Sequence, residues 1–325
     1  MWTFLRRVAA AAAAFAALAS SARAFEVTVG HYGSLVQGAP YAIALEKGFF
    51  KEAGLDLTRI VSGDGGGTTV RSVLASPFPF GEAALGAVLN AQQRGLDLVM
   101  VSAAVSGPVD MFWLVRPDSP IRSVTDLRGR KVGYTNPKSG SDYLLRMVLD
   151  KAGVTPEAVE LIATGGMREG LAMLSAGQID VMPVVEPVLA TLGDKFRPVF
   201  AAGDYLPSIT QTVGFTSRDF ARTGGDKLRA LLAARRKAVD FIYEKPDEAA
   251  DIVARSHGLT PAIARAVMQR FARDRYWSRG DFDQAAMDVQ LAGLRLVGAV
   301  DDKGPNWTTL IDARFLPADL PRPGM

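Results

Sequence analysis

The run Pro40-Tyr-Ala-Ile-Ala-Leu-Glu-Lys-Gly-Phe-Phe-Lys-Glu-Ala-Gly-Leu-Asp-Leu57 constrains the fold more than any other stretch of the chain. It reads as helix, stop and strand. Pro40 suits an early helical position, where its missing N–H is no loss. Gly48 suits the residue just past a helix, where a positive φ is easily reached. Phe49 and Phe50 anchor the turn in a core, and Leu55, Leu57 and Ile60 begin a strand. With the preceding strand Glu26-Val-Thr-Val-Gly30, the pattern is a βαβ unit. Its polar loop lies at the carboxyl end of the first strand, where open α/β sheets bind ligands.

The N-terminus has the layout of a secretory signal peptide: Arg6 and Arg7, an alanine-rich apolar stretch over Val8 to Ala19, and the cleavage pattern Ala22-Arg23-Ala24. The apolar stretch is short of the roughly 20 residues that span a bilayer. Cleavage is expected near Ala24-Phe25, with export by a Sec-type route and a periplasmic product. The leader carries three of the 37 basic residues and none of the 34 acidic ones, so without it the charges balance at 34 each. No basic footprint for nucleic acid remains. There is no cysteine, which excludes a lipoprotein anchor, a disulfide framework and a thiol nucleophile. The two histidines, His31 and His257, lie far apart and outside any metal-binding spacing. No metal, cofactor or catalytic residue is expected.

Strands and helices alternate from Glu26 to about Trp113, with Val99–Ala104 and Met111–Val115 as the last strands of this part. A second α/β block runs from about Arg116 to Gln211. It has strands at Lys131–Tyr134, Val159–Ala163 and Ile179–Val185, and helices at Asp142–Ala152 and Met167–Ala176. From Asp226 onward the pattern is helical, including Pro246–His257, Pro261–Arg273 and Asp283–Val297. A weak repeat links the blocks: Gly65-Gly-Gly-Thr-Thr69 and Thr164-Gly-Gly166 each precede a helix and then a strand.

The glycine cluster around Gly66, Gly67, Thr68 and Thr69 opens a helix after a strand. Glycines let backbone N–H groups approach a ligand, and a helix N-terminus attracts anions. It is neither a P-loop nor a complete dinucleotide fingerprint. The counterpart Thr135-Asn-Pro-Lys-Ser-Gly-Ser-Asp142 supplies Thr135, Lys138, Ser139, Gly140 and Ser141. Ser139 and Asp142 have capping-box spacing, so this loop either caps its helix, binds a ligand or does both. Glu186 sits at a strand end before a proline and is placed either to accept a ligand amine or hydroxyl or to serve the helix that follows. Ser34 and Gln37 are hydrogen-bonding candidates in the first loop. Trp113 either walls a pocket or packs in the core.

Taken together, these segments resemble the SsuA/THI5-like solute-binding proteins of the nitrate/sulfonate/taurine transporter group. The resemblance rests on Glu46-Lys-Gly-Phe-Phe-Lys-Glu-Ala-Gly-Leu55, Pro120-Ile-Arg-Ser-Val-Thr-Asp-Leu-Arg-Gly-Arg-Lys-Val-Gly133, Ala176-Gly-Gln-Ile-Asp-Val-Met-Pro-Val-Val-Glu-Pro187, Glu244–Asp251 and Leu310–Leu316, and covers about residues 26 to 317. It implies an α/β, type 2 periplasmic binding protein fold with an extra helical C-terminal region. Residues 1–24 would be the signal peptide, 25–115 plus 212–325 lobe one, and 116–211 lobe two. It implies a monomer that captures a small-molecule solute, such as a sulfonate, carboxylate or nitrate, and delivers it to an ABC permease and ATPase. The implied cleft loops are Gly33–Gln37, Gly65–Thr69, Glu82–Leu85 (with Ala84), Thr135–Ser141 and Glu186–Pro187. The chain departs from the family at Ser76-Pro-Phe-Pro-Phe80, where two prolines replace the usual Gly-x-(Val/Ile)-Asp, so the loop leading to Glu82–Leu85 is expected to be shaped differently. A receptor for a pyrimidine or thiamine-precursor ligand and a receptor serving a sensory kinase stay open. A THI5-like pyrimidine-forming enzyme is disfavoured by the missing cysteines.

Overall fold

The computed structural model describes residues 25–322; the expected leader and its cleavage site lie outside them. Strand β1 (Phe25–Gly30) leads into helix α1 (Ala39–Glu46). Lys47 closes the helix, and Gly48 turns the chain with φ +76° into the single turn α2 (Phe49–Glu52). Strand β2 (Leu57–Gly63) then pairs with β1 in parallel, completing the βαβ unit. Helix α3 (Gly66–Ala75), β3 (Phe80–Ala84), α4 (Leu85–Gln93) and β4 (Leu98–Gly107) follow. With β10 (Ile209–Ser217) they form a five-stranded sheet of order β2-β1-β3-β10-β4, in which β10 runs antiparallel to both neighbours. β3 keeps its register with β1, Thr28 opposite Gly81 and Val29 opposite Glu82, so the two prolines before it do not displace Glu82.

The second lobe repeats this plan. Its elements are β5 (Met111–Val115), β6 (Lys131–Tyr134), α5 (Gly140–Lys151), β7 (Glu160–Ala163), α6 (Met167–Ser175), β8 (Met182–Val185), α7 (Val188–Leu192) and β9 (Arg197–Ala201). β6 pairs with β7, and β5 lies between β8 and β9, antiparallel to both. Val181 bridges Val132 in parallel just ahead of β8, joining the pieces in the order β7-β6-β8-β5-β9. The antiparallel strand is the fourth in each sheet. The faint sequence repeat is thus the loop-helix start of α3 and of α6.

Two strand-to-strand passages link the sheets, β4 to β5 through residues 108–110 and β9 to β10 through residues 202–208. Met111–Val115 therefore belongs to the second sheet, where the sequence pattern had suggested the last strand of the first. The crossings fall a few residues before the expected 115/116 and 211/212 boundaries. Strand length decides this: β4 ends at Gly107, whose φ of +151° breaks the extended run. Trp113 is wholly buried and stacks on Phe200 with ring centroids 4.9 Å apart, so it packs the core.

The C-terminal chain returns to the first lobe as α8 (Arg218–Thr223), α9 (Gly225–Glu244), α10 (Pro246–His257), α11 (Pro261–Arg273), α12 (Gln284–Leu296) and α13 (Trp307–Leu310). α12 also reaches the second lobe. A Cβ at Gly293 would lie 2.6 Å from Met147 Sδ and 2.9 Å from the Tyr143 ring, so the absence of a side chain there is what brings α12 against α5. Likewise α11 reaches the second lobe through Arg270, which pairs with Glu186 and lies 4.8 Å over the Phe112 ring. No helix among the described residues is long and apolar enough to cross a membrane.

Candidate functional site

A cavity of about 810 Å³ opens between the lobes, lined by residues of both. Four helix N-termini form much of its wall: Gly66 and Gly67 at α3, Ala84, Gly86 and Ala87 at α4, Ser139, Gly140 and Ser141 at α5, and Gly166 and Met167 at α6. First-turn N–H groups have no partner within their own helix, and the helix dipole puts partial positive charge there. The residues preceding α3, α4 and α6 are Gly65, Ala84 and Gly166, none of which caps its helix with a side chain. Those amides remain available to an anion. Gly65 takes φ +122°, and a Cβ on Gly66 would sit 2.4 Å from the Cβ of Ala87. The glycines thus allow the sharp entry to α3 and the close approach of two helix starts.

The α5 entry is built differently. The hydroxyls of Thr135, Ser139 and Ser141 hydrogen-bond one another at 2.9–3.1 Å, and Thr135 N donates to Ser141 Oγ at 2.9 Å. Asp142 N donates to Ser139 Oγ, but the return bond to Asp142 comes from Lys138 N rather than from the Ser139 amide. This shifted capping box holds Lys138 at φ +67° with its exposed side chain at the cavity.

Eleven of the thirteen expected contacts line the cavity: Ser34, Gln37, Gly66, Gly67, Thr69, Ala84, Thr135, Lys138, Ser139, Gly140 and Ser141. Two do not. Thr68 is exposed and accepts a hydrogen bond from Arg71 on its own helix. Glu186 is buried, its carboxylate accepting from Arg270 and from Ala190 N at 3.1 Å in α7. It performs the helix-end role, with a lobe-bridging ion pair added. Ser34 lines the rim, where its hydroxyl donates to the His31 carbonyl at 2.9 Å.

Sequence reasoning missed the polar groups deeper in the cavity. Asp110, in the first crossing, accepts from Gln211 Nε2 at 2.8 Å and from Tyr276 Oη at 2.7 Å. Burial pushes its pKa up from the usual carboxylate value, opposed by those two hydrogen bonds. Gln37 extends the network by donating to Gln211 Oε1 at 3.4 Å. Gln290 of α12 donates to Tyr143 Oη of α5 at 2.7 Å, a hydrogen bond between lobes. Glu82 also lines the cavity; its Oε1 accepts from Tyr41 Oη at 2.7 Å and pairs with Arg235. Burial raises the Glu82 pKa, with the guanidinium working against it. One signal marks Asp110 in the sequence: a lone acid between Val109 and Met111, at the seam of two apolar strands. Gln290 stands out similarly on the Met287, Leu291, Leu294 face of its helix.

The family model described as NMT1/THI5 like matches residues 36–249. The chain belongs to that family. A formylaminopyrimidine-binding protein of Halalkalibacterium halodurans is 27% identical over 238 residues, covering 70% of this chain and 69% of its own. The periplasmic aliphatic sulphonate binding protein SsuA from Escherichia coli superposes with a TM-score of 0.70 over 93% of this chain and 94% of its own, at 18% identity. The desulfurization enzyme DSZB superposes with a TM-score of 0.67 over 90% and 97%, at 17% identity. These superpositions establish the fold, that of a periplasmic binding protein, which the family resemblance had implied.

Proposed function

We propose that this chain is a periplasmic receptor that closes its two lobes on a small solute and delivers it to an ABC permease and its ATPase. The observation that carries this is the cavity itself: uncapped helix N-termini of both lobes face one space, and two short crossings join the halves. A solute touching both walls binds the closed arrangement better and shifts the population toward it. The amide-lined walls favour a small organic anion such as a sulfonate or carboxylate, or nitrate. Binding without turnover is favoured because the three hydroxyls of the α5 entry bond to one another and not to a general base. A pyrimidine-type solute is the second reading, favoured by the identity shared with the formylaminopyrimidine-binding protein.

Thermal unfolding of the chain lacking residues 1–24, against sulfonates, nitrate, aromatic acids and aminopyrimidines, tests the proposal. A true solute at 100 times its dissociation constant adds about 2.7 kcal/mol of stability. Chemical conversion of a stabilising compound on incubation with the protein would contradict the receptor reading, as would the failure of every class to raise the melting temperature.

A further inference from the structure

A second cavity of about 260 Å³ lies in the first lobe and shares no lining residue with the cleft. Both strands that carry the chain between the lobes reach it. Ser106 stands near the end of β4, just ahead of the crossing at residues 108–110, while Ser208 closes the crossing at 202–208 and is followed by Thr210 of β10. The hydroxyls of Ser106, Ser208 and Thr210 bond to no other group among the described residues. Most of the charged groups around them are engaged. Arg279 pairs with Asp240, Asp283 accepts from Ala286 N at the start of α12, and Asp281 accepts from the Ser278 hydroxyl. Arg275 is the exception. It is exposed, and its guanidinium rests 4.5 Å over the Tyr243 ring with no ion pair or hydrogen bond among the described residues.

Arg275 also holds a backbone conformation that L side chains avoid. It follows α11 where the chain reverses, with Arg275 N donating to the Ala272 carbonyl and Tyr276 N to the Phe271 carbonyl. That turn needs a positive φ, which glycine supplies without strain. Gly153 after α5, Gly258 after α10 and Gly298 after α12 make the same turn. Here φ is +52° and the residue is arginine. Two other non-glycine residues among the described ones take a positive φ, His31 and Lys138, and both line the cleft. Backbone strain of this kind collects at functional sites. The third instance places an unpaired guanidinium in the second cavity.

The two residues after Arg275 run to the cleft. Tyr276 Oη donates to Asp110, in the first crossing, at 2.7 Å. Trp277 lines the second cavity, and its Nε1 donates to the carbonyls of Val36 and Gln37 at 3.2 Å each. Gln37 lines the cleft. We propose that the second cavity is an effector site for a small oxyanion, held by Arg275 and by the hydroxyls of Ser106, Ser208 and Thr210. The anion ties β4 to β10 where they leave the first lobe. Its affinity therefore depends on the angle between the lobes, and its binding shifts their closure in return. Occupancy of the site does not rest on the receptor reading; its effect on the cleft does.

Calorimetric titration at constant ionic strength, with chloride as the balancing anion, tests the proposal. The probes are inorganic phosphate and malonate, and the proteins are wild type, Arg275→Gly and Thr210→Val. Wild type binds at least one probe saturably, and the preferred probe tells a phosphoryl ligand from a carboxylate one. Arg275→Gly weakens that binding by at least about tenfold, through the loss of charge-assisted hydrogen bonds. Thr210→Val weakens it by about threefold. Ligand-free Arg275→Gly melts about 2 °C or more above wild type, because glycine adopts the positive φ without strain. With the probe bound, hydrogen exchange slows at residues 208–210 and 275–278 and also changes at Val36 and Gln37. No saturable binding of either probe, or undiminished binding by Arg275→Gly, would overturn the site and leave the receptor reading standing. A ligand-free Arg275→Gly that melts below wild type would also overturn it, since the arginine would then serve stability. Exchange changes confined to the second cavity would overturn its effector role.

Discussion

Arg235→Met is expected to destabilise the chain by about 3–5 kcal/mol, the range for leaving one member of a buried ion pair alone. Arg235 is 1% exposed and Glu82 2%. Besides pairing with Glu82, the guanidinium donates to the carbonyls of Ser278 and Ala104 at 2.8 Å each. It therefore ties the β3 edge of the cavity to β4 and to the segment after α11. Methionine fills comparable space but leaves a charged carboxylate and two carbonyls unsatisfied. The melting temperature should fall by roughly 10 °C. Adding Glu82→Gln to Arg235→Met removes the stranded charge and should recover about 2 kcal/mol, an interaction visible in a double-mutant cycle. A single variant that melts within a degree or so of wild type would show that the pair contributes little and that Arg235 does not organise this wall.

The second large effect is on binding. Gly140→Trp should weaken the solute by at least about a hundredfold, or roughly 2.7 kcal/mol, while leaving stability within about 0.5 kcal/mol. Gly140 lies at the first position of α5, and a Cβ there would meet Tyr143 Oη at 3.7 Å and Met111 Cε at 3.8 Å, which are ordinary contacts. The backbone accepts a side chain, and an indole then occupies the space over the α5 N-terminus. Thr68→Ala is the counterpart: Thr68 lies outside the cavity lining, so affinity should stay within about threefold. If Thr68→Ala weakens binding as much as Gly140→Trp, the solute does not sit where the cavity is.

Much of this architecture is legible in the residues, for reasons specific to each segment. Gly48 between an apolar helix and Phe49-Phe50 marks a stop that the backbone honours with a positive φ. The proline-led helices Pro246–His257 and Pro261–Arg273 are observed with those bounds, because a proline start and a strong apolar stripe fix both ends. The loop-to-helix starts at Gly66 and Gly140 were readable because free N–H groups need small residues around them. The crossings were less legible. Met111–Val115 is as apolar as β4, and nothing local says that it pairs with Met182–Val185 and Arg197–Ala201 instead. Glu186 shows a different limit. Its position at a strand end suits a ligand contact, but its partner Arg270 lies 84 residues away on a helix whose approach depends on packing. Asp110 and Gln290 were missed because single polar residues in apolar surroundings carry no spacing pattern. Their role depends on which groups the two lobes bring face to face.

Hydrogen-exchange mass spectrometry, with and without a solute that stabilises the chain, tests most directly whether the lobes grip that solute between them. The account predicts slower exchange at Gly66–Thr69 in the first lobe and at Ser139–Asp142 in the second at the same solute concentration. Residues 108–110 and 202–208 should change with them. Protection confined to one lobe, or appearing only on surfaces away from these helix starts, would contradict it.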